Sequence, residues 1–147
     1  MNVIHTLNEK RREKQMEYEL NMLKELSLKR IKDTVSQYFT FYFESGAMYK
    51  SVVEEGCIDY AIEAYLLGAQ YSRFGYYGES IQSVRARCIQ EEKELTHSFY
   101  EYLICWAKAT NDHSIDESIY LTSEWFIHSW WLEGYEVGEK RHKLRLH

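Results

Sequence analysis

The chain contains no proline. Proline breaks helix interiors, because it lacks an amide donor and its ring collides with the preceding turn. Its absence from 147 residues favours helix throughout. Cysteine is also scarce. Cys57, Cys88 and Cys105 are odd in number, far apart and without a C-x-x-C. That spacing suits neither zinc nor a disulfide framework, and points to reduced thiols in an intracellular setting. No apolar run approaches the roughly 20 residues that a membrane-spanning helix needs. The opening MNVIHTLNEKRREK lacks the long apolar core of a signal peptide. P-loop, G-x-G-x-x-G, G-x-S-x-G and H-E-x-x-H patterns are all missing. With them go the common signatures of phosphate cradling, serine hydrolysis and zinc proteolysis.

What is present is apolar and aromatic. Hydrophobic residues make up 45% of the chain, enough for a folded core and too many for a disordered segment. The length fits a single domain. Aromatics reach 16%, and thirteen of them are tyrosine. Charge is divided by region: residues 1–32 carry a net +3, residues 33–139 a net −12, and residues 140–147 a net +4. Basic ends and an acidic body can pair within one molecule, between two copies or with an anionic partner. The acidic body argues against a general nucleic-acid binder, which needs a broad basic face.

Periodicity predicts four helices, at about 7–44, 47–73, 79–109 and 115–142, followed by a basic tail, 143–147. The first opens on a capping box, Thr6-x-x-Glu9. It carries one apolar stripe, Met16, Leu20, Leu23, Leu26 or Ser27, Ile31, Val35, Tyr38 and Tyr42. Its first half, NEKRREKQMEYEL, is thinly apolar and is expected to project or to lie along a second copy. Ser45-Gly46 ends it. Phe74-Gly75-Tyr76-Tyr77-Gly78 reads as a connector. In the third helix Ile81, Val84, Cys88, Leu95, Phe99, Tyr102 and Trp106 share a narrow arc, which Glu91 and Glu92 flank. Ser114-x-x-Glu117 caps the last helix. The fold expected is all-α, a four-helix bundle of two helical hairpins with a long N-terminal helix.

Two segments share a plan. IDYAIEAYLLGAQ (58–70) and HSWWLEGYEVGEK (128–140) align Glu63 with Glu133, Tyr65 with Tyr135, and Gly68 with Gly138. The offset raises internal duplication. Both helices are apolar on nearly every side, which places them innermost. Ala64-x-x-x-Gly68 and Gly134-x-x-x-Gly138 put small residues one turn apart. Glycine inside a helix costs about 1 kcal/mol relative to alanine, and close approach by a neighbouring backbone is the expected compensation. The tyrosines beside them can bury a ring while the hydroxyl finds a partner.

Candidate chemistry is sparse. Glu94-x-x-His97 and Glu139-x-x-His142 resemble the paired motifs of di-iron bundles, but the wheel turns Glu94 and His97 toward water. Glu124 and His128 are the remaining metal candidates, weighed against ordinary surface residues. Glu63 and Glu133 are the repeated carboxylates of functional interest. They are either buried acids with raised pKa, fit for proton transfer, or structural partners of Arg73, Arg85, Arg87 or Lys143. The structural alternative is preferred, because no nucleophile or phosphate loop stands near. Cys57 is expected to be buried and so not catalytic. Arg11, Arg12, Lys140, Arg141, Lys143 and Arg145 are candidate anion or partner contacts, set against the usual role of short charge runs as solvated ends.

The stretches GAQYSRFGYYGES (68–80) and WWLEGYEVGEKRHKLRLH (130–147) resemble a small family of uncharacterised cytoplasmic proteins from spore-forming Gram-positive bacteria. That resemblance implies a bacterial cytosolic setting and carries over no catalytic residue. The function expected is a non-enzymatic interaction or regulatory role, as a homodimer or with a protein partner, without cofactor or membrane span. A metal-dependent bundle enzyme and a nucleic-acid-associated protein that uses its basic ends are the alternatives.

Overall fold

The computed structural model describes residues 3–39, 47–106 and 113–144. These residues are helical, joined by short turns, and contain no strand. In chain order the helices are α1 (Val3–Lys24), α2 (Leu28–Phe39), α3 (Ala47–Tyr76), α4 (Ile81–Arg87), α5 (Ile89–Trp106) and α6 (His113–Lys143). The protein is all-α. Among the described residues no helix is long and apolar enough to cross a membrane.

Two of the expected helices are broken. The first, 7–44, turns at Glu25–Ser27 and becomes α1 and α2. The amides of Glu25 and Leu26 bond three residues back, to Met22 and Leu23, which tightens and ends α1. The Ser27 hydroxyl then accepts from the Arg30 amide and starts α2. The third, 79–109, breaks at Cys88 into α4 and α5. Ser80 caps α4 by accepting from the Ser83 amide. The Cys88 amide donates to the Arg85 carbonyl, a three-residue closure that turns the chain before α5. Residues 40–46 and 107–112, where the expected helix ends and Ser45-Gly46 fall, lie outside the described residues.

The expected connector at Phe74–Gly78 is shorter than its glycines suggest. α3 continues through Gly75 to Tyr76. Gly75 is there for space, because a side chain on it would collide with the Tyr135 hydroxyl. The true stop is Gly78, in the left-handed region at φ +108°. The Glu79 amide reaches back to the Phe74 carbonyl, and the Gly78 amide to Gly75. This pattern satisfies the last carbonyls of the helix.

Among the described helices, α3 and α6 share the most extensive contact. They run side by side in the same direction, with Tyr65 against Gly134, Gly68 against Trp131 and Tyr135, and Ala69 and Ser72 against Gly138. Gly68, Gly134 and Gly138 are buried, as is Ala64. A Cβ on Gly68 would overlap the Trp131 carbonyl, and one on Gly134 the Tyr65 carbonyl. The backbones themselves therefore touch. Tyr65 and Trp131 are fully buried beside this seam, and the Tyr65 hydroxyl donates to the Met22 carbonyl at 2.9 Å.

Around the seam, α2 brings Ile31, Val35 and Phe39 and α5 brings Phe99 and Leu103 into one apolar cluster with Val53, Cys57, Ala61, Phe126 and Ile127. Phe39, Phe99 and Phe126 meet at centroid distances of 5.0–5.5 Å. α6 is not enclosed on every side. Leu121 is 58% and Trp125 43% exposed, and the Trp125 ring lies 4.2 Å from that of Tyr38.

Candidate functional site

The two repeated carboxylates do not form a pair. Glu63 is exposed on α3. Glu133 is half-buried on α6 and accepts from Arg30 of α2 at 2.7 Å. The same guanidinium lies 5.7 Å from the Trp130 ring centre. The partner of Glu133 is thus a residue of the preceding hairpin region, and none of Arg73, Arg85, Arg87 or Lys143. The reading of the two as buried proton-transfer groups is corrected by this placement. The seam they flank is filled by glycine, alanine and tyrosine, which leaves both carboxylates at its edge.

Among the described residues the buried carboxylate is Glu92, on α5, and it is only 4% exposed. Its two oxygens are claimed by two nitrogen-bearing side chains, a guanidinium and an imidazole. Arg85 Nε reaches Oε2 at 3.3 Å from α4, and His128 Nδ1 lies 3.1 Å from Oε1 on α6. The break at Cys88 lets Arg85 reach a residue seven positions on. Burial alone would push the Glu92 carboxyl up. The hydrogen bonds from His128 and Arg85, with their charges, outweigh it and hold the group below the usual carboxylate range. Glu92 is therefore ionised at neutral pH and acts as an acceptor. The His128 ring stacks on Trp131, 6.0 Å between centroids at 15°. A cavity of about 370 Å³ opens beside this cluster, with Thr96, Lys93, Tyr120 and Glu124 on its walls.

Glu124 is exposed and His128 is engaged with Glu92. Among the described residues no group of three or more histidine, cysteine, aspartate and glutamate side chains is arranged to hold a metal. The two E-x-x-H motifs are apart in use. His97 pairs with Glu101 at 3.1 Å and Glu94 accepts from Gln90. Glu139 pairs with Lys143 at 3.0 Å, while His142 stacks between Tyr18 and Tyr76. Cys57 is fully buried, and burial pushes its thiol up to about 12. Burial likewise pushes Cys88 up to about 11. Both thiols stay protonated at neutral pH, which makes them poor nucleophiles.

The basic ends divide. Arg141 is largely buried and reaches Glu25 at 3.1 Å. It ties the C-terminal end of α6 to the turn after α1. Lys140 and Lys143 are exposed, and Arg145 lies outside the described residues. Arg11 and Arg12 are exposed on α1, as is every other side chain from Leu7 to Glu17. Past the exposed stretch Leu7 to Glu17, α1 docks from Tyr18 onward. The Tyr18 hydroxyl donates to the Ala69 carbonyl at 3.1 Å, and Met22 is buried with Tyr65 and Ala69.

The family described as "Protein of unknown function (DUF2521)" matches residues 1–147. The chain belongs to this DUF2521 family. A relative from Bacillus subtilis (strain 168), "Uncharacterized protein YbaK", is 42% identical over 140 residues, covering 92% of each chain. No solved structure matches the chain. DUF2521 membership establishes a bacterial kinship and assigns no activity to any residue.

Sequence reasoning about this DUF2521 chain missed Glu92 as a buried group. The signal was available. Arg85 and Glu92 stand seven apart, two turns of helix, and Cys88, Glu92, Thr96, Phe99 and Leu103 recur at helical spacing. These five are all buried. Glu92 and Thr96 are polar, so the arc that the apolar residues alone trace lies one notch to the side of the buried one.

Proposed function

We propose that this protein is a non-enzymatic helical interaction or regulatory protein of the bacterial cytoplasm, working as a homodimer. One observation carries the reading: the first eleven fully described positions of α1 after Thr6, Leu7 to Glu17, are exposed throughout, although the helix continues unbroken into its docked half. A short helix with no packed face is marginal in water. A helix with no buried face bridges to another body, is held by many i,i+4 side-chain pairs, or is not stable. Leu7, Met16 and Leu20, each more than half exposed, give this helix apolar anchors for a second body. The lean chemistry supports the same reading, since among the described residues the one buried carboxylate is tied up by Arg85 and His128.

The architecture we propose for this role keeps two helical hairpins. α1 with α2 stands for the first expected helix, and α4 with α5 for the third. The common direction of α3 and α6 and their matched small residues support descent from one hairpin. Sedimentation velocity from low to high micromolar concentration tests the dimer. A species of twice the chain mass is expected, and a strict monomer at high micromolar concentration overturns the reading.

A further inference from the structure

The face of α1 that docks is also the basic one. On a wheel at roughly 100° per residue, Leu7, Lys10, Arg11 and Lys14 fall on the same side as Tyr18 and Met22. Glu9, Glu13 and Glu17 fall together elsewhere. Tyr18 sits at the Ala69 carbonyl and beside His142, near the C-terminal ends of α3 and α6. Residues N-terminal to it carry the same stripe onward, and all of them to Leu7 are exposed. A cationic, partly apolar strip thus leaves the body of its own chain.

The same molecule holds a surface of the opposite kind. Between α3 and α5 lies a groove of about 400 Å³, floored by Tyr60, Leu95 and Tyr102 and edged by Asp59 and Glu63. Among the described residues no basic side chain lines it. Gly56 leaves room for the Tyr102 ring to cross α3 and donate to the Val52 carbonyl. Burial raises the phenols of Tyr60 and Tyr102, and nearby carboxylates raise them further: Glu63 and Glu101 at the first, Asp59 and Glu55 at the second. The groove therefore carries a negative field over aromatic surface. Such a surface suits a helix bearing lysine and arginine with an apolar anchor, through ion pairs, cation–π contacts and burial together.

We propose that the α3–α5 groove receives the outer half of α1 from a second copy of this chain, with Lys10 and Lys14 facing Asp59 and Glu63 and Leu7 on the tyrosine floor. The exchange is reciprocal, so the dimer closes on a two-fold axis. This rests on the self-association proposed above and names the surfaces that make it.

Charge exchange tests it. One variant carries Lys10→Glu and Lys14→Glu, the other Asp59→Lys and Glu63→Lys. All four positions are exposed, so circular dichroism and thermal melts should match wild type. Each variant alone is expected to dissociate, with its dimer Kd raised at least tenfold by sedimentation equilibrium. An equimolar mixture of the two is expected to restore association, because both contacts of the mixed dimer again join opposite charges. A wild-type dimer whose Kd is unmoved by both variants, or a mixture that stays monomeric, overturns the groove and leaves self-association standing. A wild-type chain that is monomeric at high micromolar concentration overturns both. Carbodiimide coupling in a mixture of isotope-labelled and unlabelled chains adds a direct readout. Cross-links from Lys10 or Lys14 to Asp59 or Glu63 between labelled and unlabelled chains support the proposal. The same links found only within one chain contradict it.

Discussion

From Tyr65 to Ser72 on α3, and from Trp131 to Gly138 on α6, two helices meet backbone to backbone. From Leu7 to Glu17 on α1, one helix stands with every side chain exposed. Both stretches are regular helix, yet opposite things sustain them. In the seam the favourable terms come from removing side chains. Glycine costs about 1 kcal/mol in helix propensity relative to alanine, and the close contact it permits lets Tyr65 and Trp131 be covered completely. In α1 the residues are good helix formers, and no buried face holds them. The comparison teaches that helical propensity and helical support are separate quantities. Where support is missing in one chain, another chain is the natural place to find it.

The largest effects should appear in the seam. Trp131→Ala removes a fully buried indole and should destabilise by about 3–5 kcal/mol. Gly134→Ala is the sharper test. By propensity alone it should stabilise, yet its Cβ would strike the Tyr65 carbonyl. Overpacking of this kind costs about 1–3 kcal/mol, so chemical denaturation should show a net loss. A gain in stability would mean that the two backbones are not in contact.

Next in size is the polar cluster at the edge of the seam. Glu92→Gln keeps the shape and removes the charge that Arg85 and His128 both use. Those partners are themselves part-exposed and can turn to water, so the expected cost is about 1 kcal/mol at neutral pH. Because the folded carboxyl is held below its ordinary value, its contribution is full above the ordinary carboxylate range. It is lost as pH falls through the lowered value. Thermal melts of wild type and Glu92→Gln should therefore differ at pH 7 and converge as pH falls below the ordinary carboxylate range. A gap that widens on acidification would contradict the assignment.

The smallest effect on folding should come from α1. Of the described side chains, a chain starting at Tyr18 loses the half-buried Thr6 and eleven exposed ones, Leu7 to Glu17, and surface changes of that sort fall within about 0.5 kcal/mol. Its monomer should melt like the full chain's monomer while its self-association disappears. A large loss of monomer stability would mean that the outer half of α1 packs on its own body.

Much of this was readable from residues alone. The α-helical class followed from the absence of proline and the apolar periodicity. The spans of α3 and α6 came within three residues at each end. The burial of Cys57 and the water-facing side of Glu94 and His97 followed from the wheel. What escaped was set by contacts that a linear pattern does not carry. The break at Ser27 depends on one hydroxyl accepting from the Arg30 amide, and serine also stands within helices elsewhere in the chain. The partner of Glu133 is Arg30, 103 positions away. Glu92 reads as a surface acid until α4 and α6 supply Arg85 and His128, the two hydrogen-bond partners that make its burial tolerable.

Concentration-dependent hydrogen exchange compares the two stretches in one experiment. At high micromolar concentration the amides of residues 7–17 should be protected together with those of 60–72 and 127–138. On dilution below the dimer Kd, residues 7–17 should exchange within seconds, while the α3 and α6 amides stay slow. Protection of residues 7–17 that is the same at every concentration, whether high or absent, would contradict the account.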